Sequence, residues 1–241
     1  NNVVGTLKLL ECMKRFNVKK IIFSSSATVY GIPKTLPITE LMPLEKPVNP
    51  YGQTKIDIEN LLDNLYAEDS SWSIISLRYF NPIGAHKSGE IGEDPKGVPN
   101  NLLPYISQVA NGNLAKLKVY GGDYQTKDGT GVRDYIHIMD LVEGHIKSLE
   151  FAFKNKGISQ KFNLGTGNGY SVLEILETFR KISGKTIPYE IVDKRPGDIA
   201  ESYADPTKAN EILNWKASRN LKQMCEDVWN WQQKNPEGYK N

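Results

Sequence analysis

The stretches VKKIIFSSS (18–26), NPYGQTKIDIENLLDNLYAE (49–68) and WSIISLRYF (72–80) decide how this chain is read. The first and third are continuous apolar runs, the mark of strands buried on both faces. Between them lies a helix start, where Asn49 can cap and Pro50 takes the first helical position. Strand, helix and strand in this order specify a parallel α/β sheet. Upstream, Val3, Leu7, Leu10 and Met13 recur at helical spacing, so residues 2–16 are expected to form an amphipathic helix.

Downstream of NPIGAH (81–86) the texture changes. KSGEIGEDPKGVPNN (87–101) is a Gly- and Pro-rich loop, and a helix at LLPYISQVANG (102–112) and a strand at LKVYG (117–121) follow. A polar loop, GDYQTKDGTGVRD (122–134), leads to a strand-to-helix unit, YIHIMDLVEGHIKSLEFAF (135–153). KFNLGTGNGYSVLEILETFRKISG (161–184) reads as strand, turn and helix, and a strand at IPYEIV (187–192) and two helices complete the chain.

Composition narrows the class. Of 241 residues, 39% are hydrophobic and 24% charged, as in an ordinary globular protein. The 30 basic and 28 acidic side chains are spread evenly, which argues against a nucleic-acid or anionic-membrane surface. Cys12 and Cys225 lie far apart, so neither a disulfide framework nor a zinc site is expected, and a reducing, cytoplasmic compartment fits. No apolar stretch has membrane-spanning length. His86, His137 and His145 lack metal-ligand spacing, and no metal is expected.

The chemistry starts at Tyr51 and Lys55, a Y-x-x-x-K pair on one helical face. A free phenol titrates near 10, so a tyrosine base working at neutral pH needs its anion stabilised by about 4 kcal/mol. A nearby ammonium and a helix N-terminus both act in that direction. By itself the pair also fits a solvated helix face. Ser26 adds weight, because it ends the preceding strand, where ligands of open α/β sheets bind, and a hydroxyl there can pass a proton between substrate and phenolate. Ser24 and Ser25 also suit a turn whose N–H groups they satisfy.

Ser26, Tyr51 and Lys55 in this order resemble the short-chain dehydrogenase/reductase families. The longer stretches NVVGTLKLLECMKRFNVKKIIFSSSATVYG (2–31), NPYGQTK (49–55), RYFNPIGAH (78–86), DGTGVRDYIHIMDLVEGH (128–145) and RPGDIAESYAD (195–205) are similar to the UDP-glucose (UDP-galactose) 4-epimerase family within them, and the likeness runs over essentially the whole chain. It implies a Rossmann-like doubly wound parallel sheet lacking its N-terminal strands, with a smaller mixed α/β substrate domain. Residues 1–82 and 139–166 would form the NAD-binding part, and 83–138 and 167–241 the UDP-sugar part.

The resemblance also implies a reaction, in which Tyr51 takes the proton of the sugar 4-hydroxyl with Ser26 as relay while NAD accepts hydride from C4. Lys55 would lower the Tyr51 pKa and bond the nicotinamide ribose. Asn1, Ser24 and Tyr79 would line the cofactor, with Phe80 close by. For the UDP-hexose, Arg133 and Arg195 would take the pyrophosphate, which suits forked guanidinium groups. Asn81 and Asn101 would contact sugar and phosphate, Lys118, Val119 and Tyr120 the uracil, and Asp198 a ribose hydroxyl. Some family members carry a bulky tyrosine where this chain has Ser202, so acceptance of N-acetylated sugars is expected. Without the resemblance, the arginines fit surface salt bridges and the asparagines fit turns and caps.

Two further readings stay open: a related nucleotide-sugar dehydratase or decarboxylase, and a protein that keeps the fold without catalysis. A dehydratase is expected to place acidic residues beside the catalytic serine, where this chain has Ala27 and Thr28. NLGTGNGYS (163–171) is not a dinucleotide fingerprint, since its third glycine falls one residue early, and Ser171 with Glu174 reads as a capping box. In the family two helices matching 2–16 and 50–67 build a homodimer, which is expected here. The family's glycine fingerprint lies upstream of the first residue, so the chain reads as a fragment. Made alone, it is expected to fold poorly and bind NAD weakly or not at all; a cooperative melt with micromolar NAD affinity contradicts this.

Overall fold

The computed structural model describes residues 1–45, 47 and 49–239. They divide into two compact units, Asn1–Phe80 with Val142–Gly165 and Ala204–Lys216, and Asn81–Leu141 with Thr166–Tyr203 and Ala217–Asn241.

The first unit is built on three parallel strands in the order β1 (Lys20–Ser26), β2 (Ser73–Tyr79) and β6 (Ile158–Leu164). β2 is central and buried along nearly all its length, as its apolar run predicts. β1 lies at the sheet edge and is mostly half-buried, not buried on both faces as its apolar run predicts, with Ser24 exposed. Helices α1 (Asn2–Arg15) and α2 (Pro50–Glu68) pack beside it, joining Leu10, Ile58, Leu62 and Leu65 to Ile74 in one apolar cluster. The α2 start follows the sequence reading, since Asn49 Oδ1 accepts a 2.8 Å bond from Gly52 N and Pro50 opens the helix. Most of the apolar residues of α2 are thus used within the unit, whereas Val4 and Leu9 of α1 stand 64% and 53% exposed.

Residues 204–216, expected with the second unit, belong to the first. Ala204 bridges Ile38, Asp205 N bonds Ile38 O at 2.8 Å, and Lys208 at the start of α6 (Thr207–Leu213) reaches Lys161 O.

In the second unit β5 (Val132–His137) pairs parallel with β3 (Asn81–Ile83) and β9 (Glu201–Ser202), and antiparallel with β7 (Gly169–Ser171). Val132–Asp134, expected as loop, is strand because β7 and β9 supply its partners. A separate parallel pair joins β4 (Leu117–Tyr120) to β8 (Tyr189–Val192). Helices α3 (Leu102–Ala110), α5 (Val172–Ser183) and α7 (Leu221–Lys234) enclose a core that includes Leu103, Val119, Phe179 and Met224. The capping box at α5 is present in both directions. The unit boundary near residue 141 falls inside α4 (Ile138–Lys154). Among the described residues, no helix is long and apolar enough to cross a membrane.

Leu62 has no exposed surface and sits between α2 and the sheet. Leu62→Ala is expected to lower stability by about 2–5 kcal/mol, through lost transfer energy and the cavity left behind. Chemical denaturation against the parent chain checks this.

Candidate active site

In the first unit the candidate residues gather at the C-terminal end of β1. Ser26 ends the strand and leads into a 3₁₀ turn, Ala27–Tyr30. Its Oγ accepts hydrogen bonds from Thr28 N (3.2 Å) and Thr28 Oγ1 (3.0 Å). With its lone pairs so used, its own proton is left to donate, and its hydroxyl lies close enough to the Tyr51 phenol to favour the anion there.

Tyr51 sits in the first turn of α2, half exposed, beside the positive helix end. That turn reaches the strand end because residue 52 is glycine. A Cβ there would stand 2.8 Å from Pro47 Cβ and 3.2 Å from Thr28 O. One turn on, Lys55 Nζ donates a 2.7 Å bond to Ser24 O and lies 5.3 Å from the Tyr51 ring centroid. The ammonium therefore faces the ring while its proton goes to the strand backbone.

The expected drop in the Tyr51 pKa is not a property of the chain without ligands. Burial pushes the phenol above its ordinary value of 10.0, and the Ser26 hydroxyl offsets only part of this. Burial likewise lowers the Lys55 ammonium.

Tyr79, at the end of β2, donates a 2.6 Å bond to Ser24 Oγ. Its hydroxyl also meets Nε2 of His145, a contact the sequence did not signal. Burial raises the Tyr79 phenol, again against the Ser24 hydrogen bond. Phe80 is buried in a neighbouring apolar cluster with Val29 and Tyr30. Asn1 is exposed at the start of α1, and its side chain makes no cap bond.

The second unit gathers another set. Arg133 Nη2 contacts the Asp198 carboxylate, while Nη1 donates to Val132 O (2.8 Å) and Ala200 O (3.3 Å). Arg195 lies 3.9 Å from the Tyr120 ring centroid, a stacked cation on an aromatic face. Ser202 is the register partner of Arg133 on β9 and is buried. Lys118 is exposed, whereas the Val119 side chain belongs to the core and leaves only its backbone for a ligand. Asn81 opens β3 and is exposed. Asn101 precedes α3 without capping it and donates instead to Glu93 Oε1 at 2.8 Å.

The glycine turn at 165–169 does hold an anion, but an internal one. The buried Asp134 carboxylate accepts bonds from Thr166 N, Thr166 Oγ1 and Gly167 N, at 2.7–3.1 Å. Those amides are not open to a pyrophosphate.

Because the folded-state pKa of Tyr51 lies above the unfolded one, the neutral phenol favours folding at neutral pH. That contribution is lost as pH rises through the folded value. Ser26→Ala removes the neighbouring hydroxyl that partly offsets burial, so phenolate formation at Tyr51 is expected to move to still higher pH. Absorbance titration of the variant, read as a difference against Tyr51→Phe, checks the direction.

Comparison with known proteins places this geometry. Residues 1–228 match the family model described as GDP-mannose 4,6 dehydratase. The chain is 58% identical to the UDP-glucose 4-epimerase of Bacillus subtilis over 241 residues, which is all of this chain and 70% of that one. It is 55% identical to the UDP-glucose 4-epimerase of Dictyostelium discoideum, over 99% of this chain and 69% of that one. The crystal structure of UDP-glucose 4-epimerase from Bifidobacterium longum in complex with NAD+ and UDP superposes with a TM-score of 0.96 at 54% identity, covering 99% of this chain and 71% of that one. With its Rossmann-like α/β fold and relatives at this level of identity, the chain belongs to the UDP-glucose 4-epimerase family.

Proposed function

We propose that this chain interconverts UDP-galactose and UDP-glucose by reversible oxidation at sugar C4, with NAD as redox partner and Tyr51 as base. The observation that carries the reading is the meeting of Tyr51, Ser26 and Lys55 at one strand end.

The residues present fit one end of NAD. Lys55, Ser24 and Tyr79 offer an ammonium and two hydroxyls at the same place, donors and acceptors that suit a ribose and a carboxamide. Asn1 is assigned to the same group from the family pattern. The chemistry required of bound NAD is reversible hydride acceptance at C4, together with a positive charge in the oxidised form. Tyr51 removes the 4-hydroxyl proton and later returns it. Ser26, with its proton free of Thr28, can donate to the phenol oxygen and so stabilise its anion. Lys55 holds its charge beside the ring, anchored on the Ser24 carbonyl.

For the nucleotide sugar, Arg133 and Arg195 bind the pyrophosphate, and Asp198 a ribose hydroxyl. The backbone of Val119, with Lys118 and Tyr120, takes the uracil, and Asn81 and Asn101 contact sugar and phosphate. Serine at 202, a small side chain, supports acceptance of N-acetylated UDP-hexosamines as well. The dehydratase reading finds no support at β1, where Ala27 and Thr28 follow Ser26 and Thr28 is committed to it.

A homodimer through α1 and α2 draws support from the outward Val4 and Leu9. A cytoplasmic, reducing setting suits two free cysteines, Cys12 exposed and Cys225 buried.

Incubation of the full-length enzyme with UDP-galactose and NAD, followed by separation of the nucleotide sugars, tests the activity. Tyr51→Phe is expected to cut kcat by about 10²–10⁴-fold, the range for loss of a positioned proton-transfer group. Unchanged turnover in that variant ends the assignment of Tyr51. Absence of turnover with UDP-N-acetylgalactosamine ends the broader sugar specificity.

A further inference from the structure

Register pairing across the first sheet places Ser25, Arg78 and Asn163 side by side on β1, β2 and β6. All three are buried and polar, an unusual row for a sheet interior. Ser25 and Arg78 share one partner, Glu59 of α2, 1% exposed. Arg78 donates to it twice, Nε to Oε1 at 3.0 Å and Nη2 to Oε2 at 2.6 Å, and Ser25 Oγ donates to Oε1 at 2.5 Å. Arg78 Nη1 continues to the Tyr30 hydroxyl (2.9 Å), which donates to Asn163 Oδ1 (2.6 Å).

Glu59 is spaced i+4 from Lys55 and i+8 from Tyr51, so the three share one helical stripe. Its strand partners are immediate neighbours of the candidate site. Ser25 lies between Ser24 and Ser26, and Arg78 precedes Tyr79. A bidentate ion pair fixes orientation as well as distance, which an apolar contact does not. Rotation or sliding of α2 would break three bonds to a buried carboxylate.

We propose that Glu59 is a positioning residue: its buried contacts with Arg78 and Ser25 set the rotation and height of α2, and thereby bring Tyr51 and Lys55 to Ser26 and Ser24. This rests on the assignment of Tyr51 and Lys55 to catalysis given above.

Glu59→Leu with Arg78→Met replaces the pair by apolar groups of similar volume, a change that is often neutral for stability. The double variant is expected to melt as the parent does and to lose about a hundredfold in kcat, the effect of a misplacement of about 1 Å, with KM for UDP-galactose within about twofold. Its crystal structure is expected to show Tyr51 displaced from Ser26. A folded double variant with parental kcat overturns the proposal, as does one whose Tyr51 has not moved. Should the double variant not fold, Ser25→Ala, which cuts only the tie to β1, decides by the same two readouts. If the parent enzyme itself does not convert UDP-galactose, the assigned reaction fails, while the crystallographic comparison still decides the role of Glu59.

Discussion

A glutamate and an arginine with almost no exposed surface hold the first unit together at the point where its chemistry sits. Burying two charges costs several kcal/mol each, and their attraction offsets this only when the remaining donors and acceptors are also satisfied. Here they are: Ser25 and Tyr30 take up the positions the pair leaves open, and Asn163 closes the row with Ile38 O and Glu40 Oε1. Removing one partner alone would strand a charge in the interior, at about 3–5 kcal/mol.

The same row explains the serine run. Side chains along a strand alternate between faces, so turning Ser25 towards Glu59 turns Ser24 and Ser26 the other way. Three hydroxyls in succession thus serve three ends: Ser24 meets Tyr79, Ser25 meets the buried carboxylate, and Ser26 meets Tyr51. Gly52 completes the placement by letting the first turn of α2 lie against Thr28.

Local chemistry was readable from the residues. Asn49, Pro50, Ser171 and Glu174 act within one helical turn, so the starts of α2 and α5 follow from spacing alone. The long apolar run of β2 likewise announced a central strand. What escaped depends on residues far apart in the chain. Arg78 and Asn163 are 85 positions apart yet adjacent in the sheet, and β7 and β9 exist only because β5 pairs with them. The Tyr51 pKa was misjudged for the same reason: Lys55 is visible in the sequence, but the depth of burial is not. His145 gave no signal, because its contact with Tyr79 joins a helix to a strand end 66 residues away.

Arg133 and Asp198 reach for each other in the free chain, although each is assigned to a different part of the same ligand. The guanidinium thus carries its own counter-ion, which blunts its pull on passing anions such as chloride or inorganic phosphate. A monovalent anion has to displace a tethered carboxylate and gives little in return. On the assignment proposed above, a pyrophosphate whose attached ribose engages the released carboxylate would replace both halves of this ion pair at once, which would favour ligands that carry the two groups together.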